Sequence, residues 1–342
     1  MSAAPRFLLV KLSSFGDVIH ALPTLEALRQ AHPQAEITWL VEEAFAPLLL
    51  GHPALDRVWA VPRLRPGRPG AWQELRRLLV VVRQVRQERF DAVLDLQGLL
   101  KSAVWVALAK SPRKVGYDCT RELSYLALTE RLPPYDPEAH AVRRYLDLAR
   151  HLGAYVNTPR FRLEHLVREP EGVSGLLNRG EWVVLHAGAR WASKRWPVGH
   201  WATLAAALQR QGLRVALTGS GADRGLTQAI AAEAGGGILD LAGRTGLGEL
   251  AWVLRHARAM VTVDTGPMHL AAALETPVVA LFGPTAPWRT GPFGAGHEIL
   301  RLDLPCSPCF RRRCAEPRCL TELSPEEALA GVARVLSRPS LP

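Results

Sequence analysis

Short apolar runs rich in Val, Leu and Ile alternate along the whole chain with longer segments of helical period. Strands buried on both faces of a parallel sheet read this way, with helices packed between them. In the first half the runs predict strands over residues 7–11, 36–41, 57–61, 92–95 and 114–117, with a long helix over 72–88 and another over 137–152. A polar stretch at 166–180, holding Pro170, Gly172, Gly175 and Gly180, reads as a linker. The alternation restarts with strands over 182–186, 214–218, 237–240, 259–263 and 278–282, and a helix over 200–211. A last helix over 324–336 opens on Ser324 and Pro325 with Glu327 three residues after the serine, a capping-box pattern. The economical arrangement is α/β throughout: two doubly wound domains in tandem, 1–165 and 181–322, joined by the linker 166–180 and closed by a C-terminal helix in 323–342.

A length of 342 residues fits two domains, and 48% hydrophobic against 22% charged residues is an ordinary globular balance. Apolar runs such as 44–50 and 103–109 are too short to cross a bilayer, and the first apolar run meets Lys11 too soon for a signal-peptide core. A cytoplasmic location is expected. The net charge of +10 is locally concentrated, with eight arginines against Glu74 and Glu88 between residues 63 and 89. Such a cluster suits an anionic partner, whether nucleic acid, lipid headgroup or acidic sugar, and equally a solvated helix face.

In open α/β sheets, ligands gather at the carboxyl ends of strands, so the loops there are the candidate chemistry. KLSSFGDVIHALP at 11–23 turns through Ser13, Ser14 and Gly16 into a helix with Asp17 at its start, facing the cleft expected between the domains. That carboxylate is either a helix cap or a base. VVLHAGARWASKRWP at 183–197 carries Lys194, one of only five lysines against 37 arginines, where a compact point charge can reach a phosphate oxygen or simply be solvated. AMVTVDTGPMHLAAAL at 259–274 ends a strand at Asp264, turns at Thr265 and Gly266, and starts a helix with Pro267. The helix tip aims backbone N–H groups at the strand mouth, a seat for a diphosphate, and His269 is either part of it or an ordinary buried histidine. ALFGPTAPWR at 280–289 adds a polar loop beside it, and Asp223 in GSGADRG stands where a carboxylate can accept ribose hydroxyls.

The patterns G-x-G-x-x-G after the first strand, G-x-x-x-x-G-K-[ST], H-E-x-x-H and G-x-S-x-G are all absent, which disfavours dehydrogenase, P-loop kinase, zincin and serine-hydrolase readings. Four cysteines, Cys306, Cys309, Cys314 and Cys319, form C-x2-C-x4-C-x4-C, a pattern open to zinc or to a rigid surface loop; no metal or cofactor is assigned.

Taken with WLVEEAF at 39–45, FDAVLDLQGLLKSA at 90–103, the GYD and REL of 116–123, and FGPT, these motifs resemble in order the heptosyltransferases of lipopolysaccharide core synthesis, within the ADP-heptose glycosyltransferase family, family 9. LRPGRP, QGLLKSA and GYDCTREL look most like heptosyltransferase I; CSPCFRRRC resembles the cysteine-rich loop of heptosyltransferase II. The resemblance implies a GT-B fold of two Rossmann-like domains facing across a cleft. It also implies metal-independent, inverting transfer of heptose from ADP-heptose to a Kdo-lipid A acceptor at the cytoplasmic face of the inner membrane. Carried onto this chain, it makes Asp17 the general base and Lys194 the phosphate-binding lysine. Asp264, Thr265 and Gly266 become the donor loop, with His269 on the sugar side and Asp223 near the ribose. Gly188 and Ala189 stand where some relatives carry threonines, so backbone or Arg190 replaces a hydroxyl contact there. Lys101 and Arg121 match basic acceptor positions, and Arg63, Arg65 and Arg68, with Arg113 and Lys114, would grip the anionic acceptor and an anionic membrane surface. Heptosyltransferase II, another family member, a non-catalytic nucleotide-sugar binder and a nucleic-acid-binding protein are the alternatives; no nucleic-acid reading motif is present.

Overall fold

The structure, a computed structural model, describes residues 4–65, 67, 69–171 and 182–338. Arg68 and residues 172–180 of the expected linker lie outside the described residues. The chain divides into two compact units, Met1–His165 and Leu166–Pro342.

The first unit is a six-stranded sheet of β1 (Arg6–Val10), β2 (Glu36–Glu42), β3 (Arg57–Val61), β4 (Ala92–Asp95), β5 (Arg113–Tyr117) and β6 (Glu130–Leu132). All neighbours are parallel, in the order β3-β2-β1-β4-β5-β6. Its helices are α1 (Phe15–Ala31), α2 (Ala71–Gln87), α3 (Leu100–Leu108) and α4 (Ala141–His151). β1 is central and apolar, so Leu8, Leu9 and Val10 have no exposed surface. α1 is buried throughout 18–28, with the sheet on one side and α4 on the other. α2 differs: only Val81 and Val85 are fully buried, and Trp72, Leu79 and Val80 stand out into solvent.

The second unit repeats the plan with β7 (Trp182–His186), β8 (Arg214–Leu217), β9 (Leu239–Asp240), β10 (Ala259–Val263), β11 (Val278–Leu281) and β12 (Glu298–Leu300). Their order is β12-β11-β10-β7-β8-β9, again all parallel. Its helices are α5 (Val198–Arg210), α6 (Arg224–Glu233), α7 (Leu247–Arg255), α8 (Gly266–Ala273), α9 (Pro287–Thr290), α10 (Arg318–Thr321) and α11 (Pro325–Ser337). Ser324 caps α11 as its sequence pattern predicts: its Oγ accepts from Glu327 N at 3.2 Å while Glu327 Oε2 accepts from Ser324 N at 2.9 Å.

Two edge strands, β6 and β12, escape the sequence reading because three-residue segments carrying a charge do not form apolar runs. β9 is shorter than the expected 237–240. Gly235, Gly236 and Gly237 all take positive φ, which breaks extended pairing before Leu239. In both sheets the strand order reverses between the first and fourth strands, at β1/β4 and β7/β10, and the loops at these switch points carry the residues singled out by sequence.

Candidate functional site

At the first switch point β1 ends at Val10, and Lys11 to Ser14 lead into α1. Ser14 is the residue before the helix, and Asp17 lies in its first turn. Asp17 Oδ2 accepts from Ser14 N at 3.0 Å and Ser14 Oγ at 2.7 Å, so the carboxylate does cap the helix, with Gly16 inside the first turn. Both bonds fall on one oxygen. Oδ1 accepts from the Tyr145 hydroxyl at 3.4 Å, and Asp17 is half-buried.

Behind Asp17 lies a residue that the sequence reading gave no role. Lys11 is 2% exposed; its ammonium donates to Leu96 O at 3.0 Å and to the Tyr145 hydroxyl at 2.6 Å. Burial pulls its pKa down to about 8, against the opposing pull of the Asp17 and Asp95 charges. Asp95, the last residue of β4, is also buried. Its carboxyl accepts from Gln97 N and Gly98 N, both at 3.0 Å, and from Ser102 Oγ at 3.2 Å. Burial raises its pKa, and those three bonds resist the rise. Tyr145 also walls a cavity of about 70 Å³ lined with Gln97, Tyr117, Thr120, Tyr135 and Arg144. The Arg144 guanidinium lies 4.6 Å from the Tyr135 ring, and its buried Nε has no hydrogen-bond partner among the described residues.

The expected acceptor residues are less uniform. Lys101 sits beside the Asp17 loop, donating to Ser13 Oγ and, at 2.8 Å, to Glu42 Oε1. Arg63, Arg65 and Arg121 are exposed, and Arg68 lies outside the described residues. Arg113 is held by both oxygens of Glu130 at 2.6 and 2.9 Å, and the Lys114 ammonium donates to Ala107 O at 3.1 Å, so both already have partners.

At the second switch point Asp264 follows the last residue of β10 and is 8% exposed. Its Oδ2 accepts from Lys194 Nζ at 2.5 Å and Thr285 Oγ1 at 2.6 Å. The structure therefore joins three sequence motifs on one carboxylate oxygen. Thr265 precedes α8 in extended conformation and its side chain makes no capping bond; Gly266 and Pro267 begin the helix and His269 is buried one turn in. The N-terminus of the helix follows directly in the chain after Asp264, whose carboxylate holds Lys194. Lys194 also lies 4.5 Å from the Trp191 ring centre, a cation–π contact that orients its stem. Arg190 is exposed.

Asp223 caps its own loop, accepting from Ser220 N at 2.8 Å and Ser220 Oγ at 2.6 Å. It also lies against Gly188, where a Cβ would come within 2.9 Å of the Asp223 carboxyl carbon. Glycine at 188 is what lets the β7 loop approach that carboxylate. His186, at the end of β7, contacts Thr218 Oγ1 at 3.1 Å, and burial pushes its pKa down to about 4, leaving a neutral ring. The four cysteines are free thiols, and among the described residues no group of three or more His, Cys, Asp or Glu is arranged to hold a metal ion.

Residues 78–320 match the family model for glycosyltransferase family 9 (heptosyltransferase). The chain is 35% identical to lipopolysaccharide heptosyltransferase 1 of Pseudomonas aeruginosa, over 98% of this chain and 99% of that protein. It is 30% identical to lipopolysaccharide heptosyltransferase 2 of Salmonella typhimurium, over 87% and 88%. Escherichia coli heptosyltransferase WaaC, solved with ADP and with ADP-2-deoxy-2-fluoro heptose, superimposes with TM-scores of 0.80 and 0.78 at 29% identity, over 96% of this chain and 99% of that one. Two Rossmann-like units of GT-B class, switch-point loops with the expected residues, and a family match across most of the length together place the chain: it belongs to glycosyltransferase family 9, the heptosyltransferases of the lipopolysaccharide core.

Proposed function

We propose that the protein transfers heptose from ADP-heptose to the Kdo-lipid A inner core, with inversion and without a metal ion. In this reading the first unit binds the acceptor and the second binds the nucleotide sugar. The observation that carries it is the opposite equipment of the two switch points. One presents a capped carboxylate with an oxygen turned away from its cap; the other presents a lysine and a helix tip around a buried aspartate.

An acceptor hydroxyl has a pKa far above 7, so a carboxylate can take its proton only as the new C–O bond forms. Asp17 receives that proton while the hydroxyl oxygen attacks the anomeric carbon from the side opposite the diphosphate. The bond to the β-phosphate oxygen breaks with its electron pair, giving ADP and an inverted linkage. Lys194 and the amides at the tip of α8 stabilise the charge that develops on ADP, each such fixed donor being worth about 3 kcal/mol in a water-poor site. The lysine keeps two more ammonium protons for phosphate while one serves Asp264. Asp223, Gly188 and Arg190 take the nucleoside side, and His269 the sugar side.

For the acceptor, Lys101 stands beside the Asp17 loop and Arg121 is exposed, and the partnerless Arg144 Nε suits an added carboxylate or phosphate oxygen. The higher identity and fuller coverage of the relative named heptosyltransferase 1 favours that acceptor. The cysteine loop keeps heptosyltransferase II as the second reading.

Among the described residues no helix is long and apolar enough to cross a membrane. On α2, exposed Trp72, Leu79 and Val80 are interspersed with exposed Arg76, Arg77, Arg83 and Arg86, which suits peripheral attachment to the anionic cytoplasmic face of the inner membrane. The experiment is incubation with ADP-heptose and either Kdo-lipid A or its monoheptosylated product, followed by mass spectrometry of the lipid and ³¹P detection of ADP. One added heptose on Kdo-lipid A, undiminished by a chelator, is the expected result. Addition only to the heptosylated lipid shifts the assignment to heptosyltransferase II, and strict magnesium dependence overturns the leaving-group account.

A further inference from the structure

We propose that Lys11 and Tyr145 form a directional hydrogen-bond relay that orients the Asp17 carboxylate for proton transfer, both acting as positioning residues; this rests on the reading of Asp17 as the general base. The direction follows from donor chemistry. An ammonium can only donate, so in the 2.6 Å contact the Tyr145 oxygen accepts from Lys11 Nζ, and the phenolic proton is left for Asp17 Oδ1 at 3.4 Å. Oδ2 takes both bonds from Ser14, and the Tyr145 hydroxyl acts on the rotation of the other oxygen.

The relay also has a switch. The charged and titratable groups around Lys11 are Asp17 and Asp95, which favour its proton, and Arg144 and Lys101, which oppose it; Tyr145 in turn faces Asp17, Tyr135 and Arg144. Burial outweighs the carboxylates and brings the lysine to about 8. Once Nζ loses its proton it gains a lone pair that competes with Asp17 for the phenolic proton, which weakens the bond from Tyr145 to Asp17. An alkaline fall in the chemical step near pH 8 is the relay's signature.

The test is single-turnover transfer by the full-length protein from ADP-heptose to Kdo-lipid A between pH 6 and 10, for wild type, Tyr145→Phe and Asp17→Asn. Tyr145→Phe removes one oxygen and keeps the ring packed at 4.4 Å from Lys11 Nζ. It is expected to slow the step about ten- to a hundredfold at pH 7, leave KM for both substrates unchanged, and lose the limb near pH 8. Wild-type rate and an unchanged limb in Tyr145→Phe overturn the relay while an inactive Asp17→Asn leaves the base in place. An active Asp17→Asn removes the base reading itself.

Discussion

Numbered from its own first strand, each of the two sheets runs third, second, first, fourth, fifth, sixth, and each fourth strand leads into a buried aspartate, Asp95 in one unit and Asp264 in the other. Their partners differ in kind. Asp95 is held chiefly by two backbone N–H groups of its own loop, partners that cannot leave without unfolding the turn, with a longer bond from the Ser102 hydroxyl. Asp264 is held by two side chains, Lys194 and Thr285, from other loops. The same topological position is therefore tied to its own loop in one unit and to side chains of distant loops in the other. The cations follow the same division. Lys11 is sealed at 2% exposure, whereas the Lys194 side chain keeps 16% of its surface open.

The sharpest way to break this comparison is Asp17→Asn, expected to lower kcat by about 10²–10⁴-fold, the usual contribution of a positioned base. Lys194→Ala comes next: loss of one fixed donor lowers kcat/KM by about 10²–10³-fold and weakens ADP binding, measured by steady-state kinetics and titration calorimetry. A smaller effect distinguishes the units in acid. Burial holds His52 in the first unit, and His186 and His297 in the second, at about 4, below the ordinary 6.5 of the unfolded chain. The unfolded state therefore binds more protons between those values, and stability is lost as pH falls from about 6.5 toward 4. Calorimetric melting across that range should show a falling Tm, and His297→Gln should flatten the fall. Smallest is Ser14→Ala, which removes one bond of the α1 cap at a cost of about 1 kcal/mol, a drop in Tm of about 2–4 °C by circular dichroism.

Periodicity sufficed for the interior strands of both sheets because each is buried on two faces and reads as an apolar run. The edge strands β6 and β12, short and charged, left no such trace. Lys194, Asp264 and the FGPT loop were each legible as strand-end motifs. Their convergence on one carboxylate oxygen was not, since 70 residues separate Lys194 from Asp264 and only the β7/β10 register brings them together. Lys11 was visible only as one of five lysines at the end of an apolar strand. Tyr145 and Arg144 gave no signal, because a tyrosine and an arginine on an amphipathic helix read as ordinary surface. Their neighbours lie across the fold, with 128 residues between Asp17 and Tyr145.

In the proposed division of labour, proton transfer falls to Asp17 and nucleotide-sugar binding to Lys194 and the tip of α8. Its most direct test is titration of ADP-heptose into Asp17→Asn and Lys194→Ala alongside single-turnover transfer. Asp17→Asn is expected to keep wild-type donor affinity and lose the transfer rate, and Lys194→Ala to lose both. Undiminished transfer by Asp17→Asn, or full donor affinity in Lys194→Ala, would contradict it.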